Sequence, residues 1–175
     1  ARAMGYMHID NLYKSQAILD FRQCYALEKI HGTSAHIYFR GGRVGFFSGG
    51  EKHETFAAIF DADALTATFA ERVDAGTDVT IYGEAYGGKC QHMSATYGKT
   101  LKFVAFDVKI GESWLSVPNA HAFVESFGLE FVDYALVSTD GSTNVTLKVP
   151  QLRNVYEKVG MELTQKESMS GFAFI

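Results

Sequence analysis

An α+β fold built largely of antiparallel strands is what the 175-residue sequence predicts, and three observations predict it. Short apolar runs with strand rhythm outnumber the helical patterns. Glycine pairs interrupt those runs where tight turns would join neighbouring strands. The helical patterns fall in the connections between strands, without the regular alternation that marks a parallel sheet.

Taken in order, Asn11 to Phe21 places apolar residues at Leu12, Ile18, Leu19 and Phe21 and reads as a short helix or turn. From Ala26 a strand-like run carries Lys29 between Leu27 and Ile30, breaks at His31-Gly32-Thr33 and resumes. His36 to Phe47 predicts a hairpin. Ile37 and Phe39 alternate with His36 and Tyr38, Gly41-Gly42 supplies positive φ, and Val44 to Phe47 returns. A second glycine pair, Gly49-Gly50, follows. Asp61 to Val73 is the clearest helix, with Asp61 or Asp63 as cap, Leu65, Phe69 and Val73 on one face, and Asp74-Ala75-Gly76 as its stop. Asp78–Tyr86 and Leu101–Ile110 read as strands, the second apolar on both faces and therefore central. Trp114–Val117, Phe131–Val137, Asn144–Val149 and Gly171–Ile175 are further strands. Asn119–Gly128 and Gln151–Gly160 are short helices, each stopped by its glycine.

Composition narrows the function classes. With 47% hydrophobic and 21% charged residues the chain is an ordered globular protein, long enough for one core or a core plus a small appendage. No apolar run approaches membrane-spanning length and no signal-peptide hydrophobic region is visible, so no membrane partner is expected. Two cysteines, Cys24 and Cys90, are too few for a disulfide scaffold and fit a reduced, cytoplasmic setting. The Asn144-Val145-Thr146 sequon carries no weight without export. A net charge of −4 means that any polyanion site must be a local cluster. Cys90-x-His92 has no second short-spaced pair to complete a zinc site, so no protein-held metal is expected, and there is no phosphate-binding Gly-x-x-x-x-Gly-Lys loop.

The chemistry centres on Lys29. Between Leu27 and Ile30 it is expected in an apolar socket, where lost hydration frees the amine as a nucleophile. Gly32 lets the backbone turn and a ligand approach, while His31, Thr33 and Ser34 supply donors beside it. Lys52, in the glycine-rich stretch, is a candidate phosphate contact. Phe106 and Asp107 sit in the apolar strand, on opposite faces if alternation holds, and Asp107 there requires a partner or an ion.

These residues carry a resemblance. Glu28-Lys29-Ile30-His31-Gly32-Thr33 resembles motif I of the covalent nucleotidyltransferases, specifically the ATP-dependent RNA ligases of the T4 RNA ligase 2 type, with His31 pointing to the RNA-ligase branch. His8-Ile9-Asp10-Asn11-Leu12-Tyr13 resembles an opening common in that group. Ile81 to Gly88 looks like the Gly-Glu element after motif I, and Phe103 to Ile110 like motif III. The likeness runs from Ile9 to Val117.

The resemblance implies a nucleotidyltransferase (ATP-grasp-like ligase) domain, its antiparallel sheets flanking a nucleotide-binding cleft. It implies ATP and Mg²⁺ as cofactors, and the ends of nicked or broken RNA as partners, with no obligate protein partner. Lys29 would form a lysyl-AMP, Glu84 would bind the ribose, Phe106 would stack on adenine, and Glu28, Ile30, His31, Gly32, Thr33 and Lys52 would line the nucleotide site. Ser170 stands where the motif IV glutamate is expected, with Glu167 nearby, and no motif V lysine strand follows. The expected organisation is one adenylyltransferase domain over residues 1–175 lacking motif V and a C-terminal domain. The function implied is ATP-dependent joining of RNA 5′-phosphate and 3′-hydroxyl ends through that intermediate, truncated or impaired here, with a catalytically inactive nucleotide- and RNA-end-binding module on the same fold as the alternative. GMP transfer, as in capping enzymes, is disfavoured by the His-Gly form of motif I.

Overall fold

The computed structural model describes residues 5–10, 14–138 and 172–174. In chain order its strands are β1 (Gln23–Glu28), β2 (Thr33–Arg40), β3 (Arg43–Ser48), β4 (Val79–Gly87), β5 (Leu101–Ile110), β6 (Ser113–Trp114), β7 (Glu130–Phe131), β8 (Tyr134–Ser138) and β9 (Phe172–Phe174). The α-helices are α1 (His53–Ala57), α2 (Ala62–Arg72), α3 (Ser94–Tyr97) and α4 (Val117–Glu125). They group into two units. One comprises His31–Phe131 with the chain up to Tyr6, the other Met7–Ile30 and the chain from Val132.

The first unit is a six-stranded sheet in the order β3-β2-β4-β5-β6, with β7 paired parallel to β5 and every other pairing antiparallel. The β2–β3 turn is the one the sequence predicts, with Gly41 at φ 57° and Gly42 at φ 74°. Both lie in the left-handed region that a tight hairpin of this twist needs. β5 is interior as expected, bonded to β4 on one side and to β6 and β7 on the other.

One face of this sheet carries Ile37, Phe39, Ile81, Ala85, Phe103, Ala105 and Val108, all buried. Against them pack Phe56 of α1, Leu65 and Phe69 of α2, and Ala120 and Val124 of α4. Phe39 and Phe69 stack at 5.0 Å. Full burial of each such side chain is worth about 1.5–3 kcal/mol, which fixes the helices to this face. Of the two candidate caps it is Asp61 that caps α2, its Oδ1 accepting from the Ala64 amide at 3.0 Å, while Asp63 lies in the first turn.

The second unit centres on β1, paired antiparallel with β8 on one edge and β9 on the other. The β9 backbone reaches the end of β1, where Phe172 pairs with Glu28. A strand is thus found within the predicted Gly171–Ile175 segment. The 3₁₀ turn Ala17–Asp20 buries none of its residues.

Three readings of the sequence are corrected. Trp114–Val117 is not one strand: Ser113–Trp114 pairs with β5, and Ser116 then caps α4, accepting from the Asn119 amide at 3.4 Å. Pro118 in the first turn favours the helix, because it brings no orphan amide. Phe131–Val137 is two strands, β7 ending in the first unit and β8 beginning in the second. The helices α1 and α3 were not foreseen. α1 has five residues and one buried side chain, Phe56, too little for periodicity to register. Asn144–Val149, Gln151–Gly160, Glu167 and Ser170 lie outside the described residues.

Candidate functional site

The sheet face opposite the core of the first unit is aromatic and polar. Residues directly opposite in a ladder share a face. The pairings His36 to Tyr82 and Tyr82 to Asp107, and Ser34 to Glu84, therefore put His36, Ser34, Tyr82, Glu84 and Asp107 together. Glu84 lies on the face of Tyr82 and Tyr86, as alternation predicts.

Phe106 and Asp107 depart from the prediction. The ladder shifts register between Tyr82 and Gly83: Tyr82 faces Asp107 and Gly83 faces Ala105, so Phe106 is an extra, unpaired residue in a β-bulge. The bulge resets the alternation. The Tyr6 ring meets the Phe106 ring edge-on at 4.8 Å, and its hydroxyl donates to Asp107 Oδ2 at 2.6 Å. Ring and carboxylate are thus presented to one neighbour, and the expectation of opposite faces is overturned. Gly83 permits the close approach of strands here, since a Cβ would sit 2.1 Å from the Val104 carbonyl oxygen.

Asp107 finds in Tyr6 the partner that its setting demands. Burial pushes its carboxyl upward, an effect opposed by the Tyr6 hydroxyl and the Val108 amide. Burial, and then Asp107, push the Tyr6 hydroxyl up in turn. Tyr82 lies 5.2 Å from Tyr6 and 5.4 Å from Trp114, and His36 lies 5.5 Å from Tyr82 and stacks on Phe47 at 4.8 Å. His36 is 2% exposed, its Nδ1 has no hydrogen-bond partner among the described residues, and burial pushes its pKa down.

The turn after Ile30 is fastened to β4 and its following connection. The Gly32 amide donates to Glu84 Oε1 at 3.1 Å, and the His31 amide donates to the Tyr97 hydroxyl at 3.0 Å. A Cβ on Gly32 would lie 2.1 Å from the Ala85 carbonyl oxygen, so the close approach that requires glycine is made by β4 itself. Thr33 packs beside the second glycine pair, where a Cβ on Gly50 would meet its Oγ1 at 2.9 Å, and the Gly49 amide donates to the Ser34 carbonyl at 2.9 Å. Lys52 is exposed and precedes α1, its carbonyl accepting from the Phe56 amide at 3.0 Å.

The structure thus brings Gly32 and Glu84 together, ties His31 to Tyr97, turns Thr33 to the opposite face beside Gly49-Gly50, and sets Phe106 farther along β5. Glu28, Lys29 and Ile30 belong to the second unit. Glu28 is buried and its amide donates to the Asp133 carbonyl at 2.9 Å. Lys29 is exposed, one residue beyond β1, while Leu27 is 1% exposed. The apolar socket expected around the amine is therefore corrected: strand rhythm buries Leu27, and the chain leaves β1 before reaching Lys29. Tyr6, His36, Tyr82 and Tyr97 were not singled out for the site. Only the excess of tyrosine in and after the Gly-Glu element hinted at it. Among the described residues no group of three or more His, Cys, Asp or Glu side chains is placed to hold a metal ion.

A family model described as RNA ligase matches residues 22–166. Among solved structures, an archaeal ATP-dependent RNA ligase is 20% identical with a TM-score of 0.61, the match covering 90% of this chain and 42% of that one. A second form of it is 20% identical with a TM-score of 0.60, covering 89% and 42%. A Naegleria gruberi RNA ligase variant with AMP and Mn is 12% identical with a TM-score of 0.56, covering 78% and 44%. At these identities the likeness is one of fold, and the chain spans about two-fifths of the length of these structures. No curated protein matches the chain. No helix among the described residues is long and apolar enough to cross a membrane.

Proposed function

The chain belongs to the RNA ligase family, and from that premise we propose that it carries the adenylyltransferase chemistry of an ATP-dependent RNA ligase of the T4 RNA ligase 2 type. The observation that carries this reading is the fastening of motif I to the ribose-binding candidate: the Gly32 amide on Glu84 Oε1, three residues beyond Lys29. A bulge that turns Phe106 and Asp107 toward one side supports a base-stacking role for Phe106.

In this reading the Lys29 amine attacks the α-phosphorus of ATP. A phosphorus–nitrogen bond forms, the bond to the β-phosphate oxygen breaks, and pyrophosphate leaves with its electron pair. An RNA 5′-phosphate then displaces the lysine, and an RNA 3′-hydroxyl displaces AMP to make the phosphodiester. Mg²⁺, held chiefly by the phosphate oxygens, would supply positive charge where negative charge develops at phosphorus. Glu84 would hold the ribose hydroxyls, and Phe106 would stack on the purine. Ile30 and His31 form the turn between Glu28 and Thr33, and Lys52 lies in the β3–α1 connection after Gly49-Gly50.

The test is self-adenylylation. With α-labelled ATP and Mg²⁺ the wild-type chain retains label through denaturation, and Lys29→Ala retains none. GTP supplied in place of ATP labels it poorly. Absence of label from the wild type at every pH from 6 to 9 would leave an inactive binding module on this fold. Phe106→Ala raises the ATP concentration for half-labelling by about 2- to 10-fold, the range of one aromatic stack.

A further inference from the structure

The connection between β4 and β5, with its flanks, is cationic. From Ala85 to Phe106 the sequence holds Lys89, Lys99, Lys102 and His92 and no acidic residue, within a chain of net charge −4. All four side chains are exposed. Among the described residues none of the three lysines lies within ion-pair distance of a carboxylate.

The connection is also built to hold its shape. The β4–β5 ladder ends at Gly87 and Leu101, and the Gly88 amide donates to the Gly98 carbonyl at 3.0 Å, so Lys89 and Lys99 each adjoin a residue of this closing bond. Lys102 faces Tyr86 across the ladder, on the face that carries Glu84. Cys90 is buried, its thiol donating to the Ala85 carbonyl at 3.5 Å, and Tyr97 is buried against Tyr86 with its hydroxyl on the His31 amide. Between these two anchors Gln91 at φ 52° and His92 at φ 57° are consecutive non-glycine residues in the left-handed region. Such conformations persist where surrounding structure over-determines them, and they gather at functional surfaces.

We infer that this connection docks the phosphodiester backbone of the RNA end being joined. The cations are spread over both arms of the connection, which suits a row of phosphates better than a single triphosphate, and the Tyr97 contact ties the surface to the motif I turn. The inference rests on the RNA-ligase reading, and it concerns where the strand lies rather than how the lysine reacts.

The test uses the full chain with Lys89, Lys99 and Lys102 all changed to Gln, its fold checked by thermal melting against wild type. Self-adenylylation with ATP alone is expected within twofold of wild type. Binding of a 5′-phosphorylated single-stranded RNA is expected to weaken at least 10-fold near 0.1 M salt. The slope of log affinity against log salt should become shallower by about 2, as loss of three cations at about 0.7 each predicts. Unchanged RNA affinity and slope with intact adenylylation would overturn the inference. So would a parallel loss of adenylylation and RNA binding, which would assign the lysines to the ATP phosphates. A wild-type chain that never adenylylates would sink the ligase reading, while the salt slope would still report on this surface.

Discussion

At the scale of single residues, Gly32 and His36 show how far a sequence can be read. The glycine of Lys-Ile-His-Gly-Thr was legible as a point of tight turning and close approach, but what approaches it was not. The sequence suggested room for a ligand, whereas the structure places the Ala85 carbonyl oxygen 2.1 Å from where a Cβ would stand. Gly32→Ala must therefore push the turn off β4 and break the bond to Glu84. Overpacking of this kind costs about 1–3 kcal/mol, and the lost hydrogen bond adds to it. A fall in Tm of roughly 2–12 °C is expected for a chain of this size, at about 2–4 °C per kcal/mol, with self-adenylylation reduced further than stability alone explains. His36 could be seen in the sequence only as an alternating strand residue. Its burial and its folded pKa, lowered by desolvation, emerge from stacking on Phe47 and packing beside Tyr82. The unfolded imidazole takes up its proton first as pH falls, so the His36 contribution is complete above about pH 6.5 and is lost toward the depressed folded value. Melting curves at pH 7.5 and 5.5 should show wild type losing more Tm than His36→Phe, and an equal loss would refute the assignment.

At the scale of elements, strict alternation served well until it met a bulge. It correctly placed Glu84 with Tyr82 and Tyr86, while Gly41-Gly42 marked the β2–β3 turn and residue type offered Asp61 or Asp63 as the cap of α2. It failed at Phe106 because one extra residue resets the face of everything after it, and no single-residue propensity announces that. Gly83 opposite the bulge was the available clue. Ser116 before Val117-Pro118 was a similar clue to a helix start, outweighed by the apolar run from Trp114. The bulge has an energetic signature. Asp107 is held against Tyr6 in a buried setting that raises its pKa, so its stabilising proton is present below the unfolded carboxylate value near 4 and is lost as pH rises through the folded value. Asp107→Asn keeps an acceptor for the Tyr6 hydroxyl while removing the buried charge. Its Tm should exceed wild type at pH 7.5 and lose that advantage near pH 3.5. A variant less stable than wild type at both pH values would show that the ionised carboxylate is itself needed there.

At the scale of the whole molecule, the division into two units was not legible. No linker composition marks the passages from Ile30 to His31 or from Phe131 to Val132. Each falls within or beside a run that reads as continuous strand, and only the long-range pairing of β1 with β8 separates them. The consequence is that Lys29 and Gly32, three residues apart, fall in different units. The hydrophobic core of the first unit should dominate resistance to opening, because free energies of local opening follow buried apolar packing and paired backbone. β4 and β5 are bonded on both edges and contribute Ile81, Ala85, Ala105 and Val108, none more than 1% exposed. The Ala17–Asp20 turn buries nothing. Native-state hydrogen exchange should therefore find the slowest amides at Ile81, Ala105 and Val108. Exchange at Leu19 and Phe21 should be faster by several powers of ten, since each 1.4 kcal/mol of opening free energy is a factor of about ten. Were the amides of β1 and β8 as slow as those of β4 and β5, the two units would open together, and motif I would be held by one cooperative body rather than spanning two.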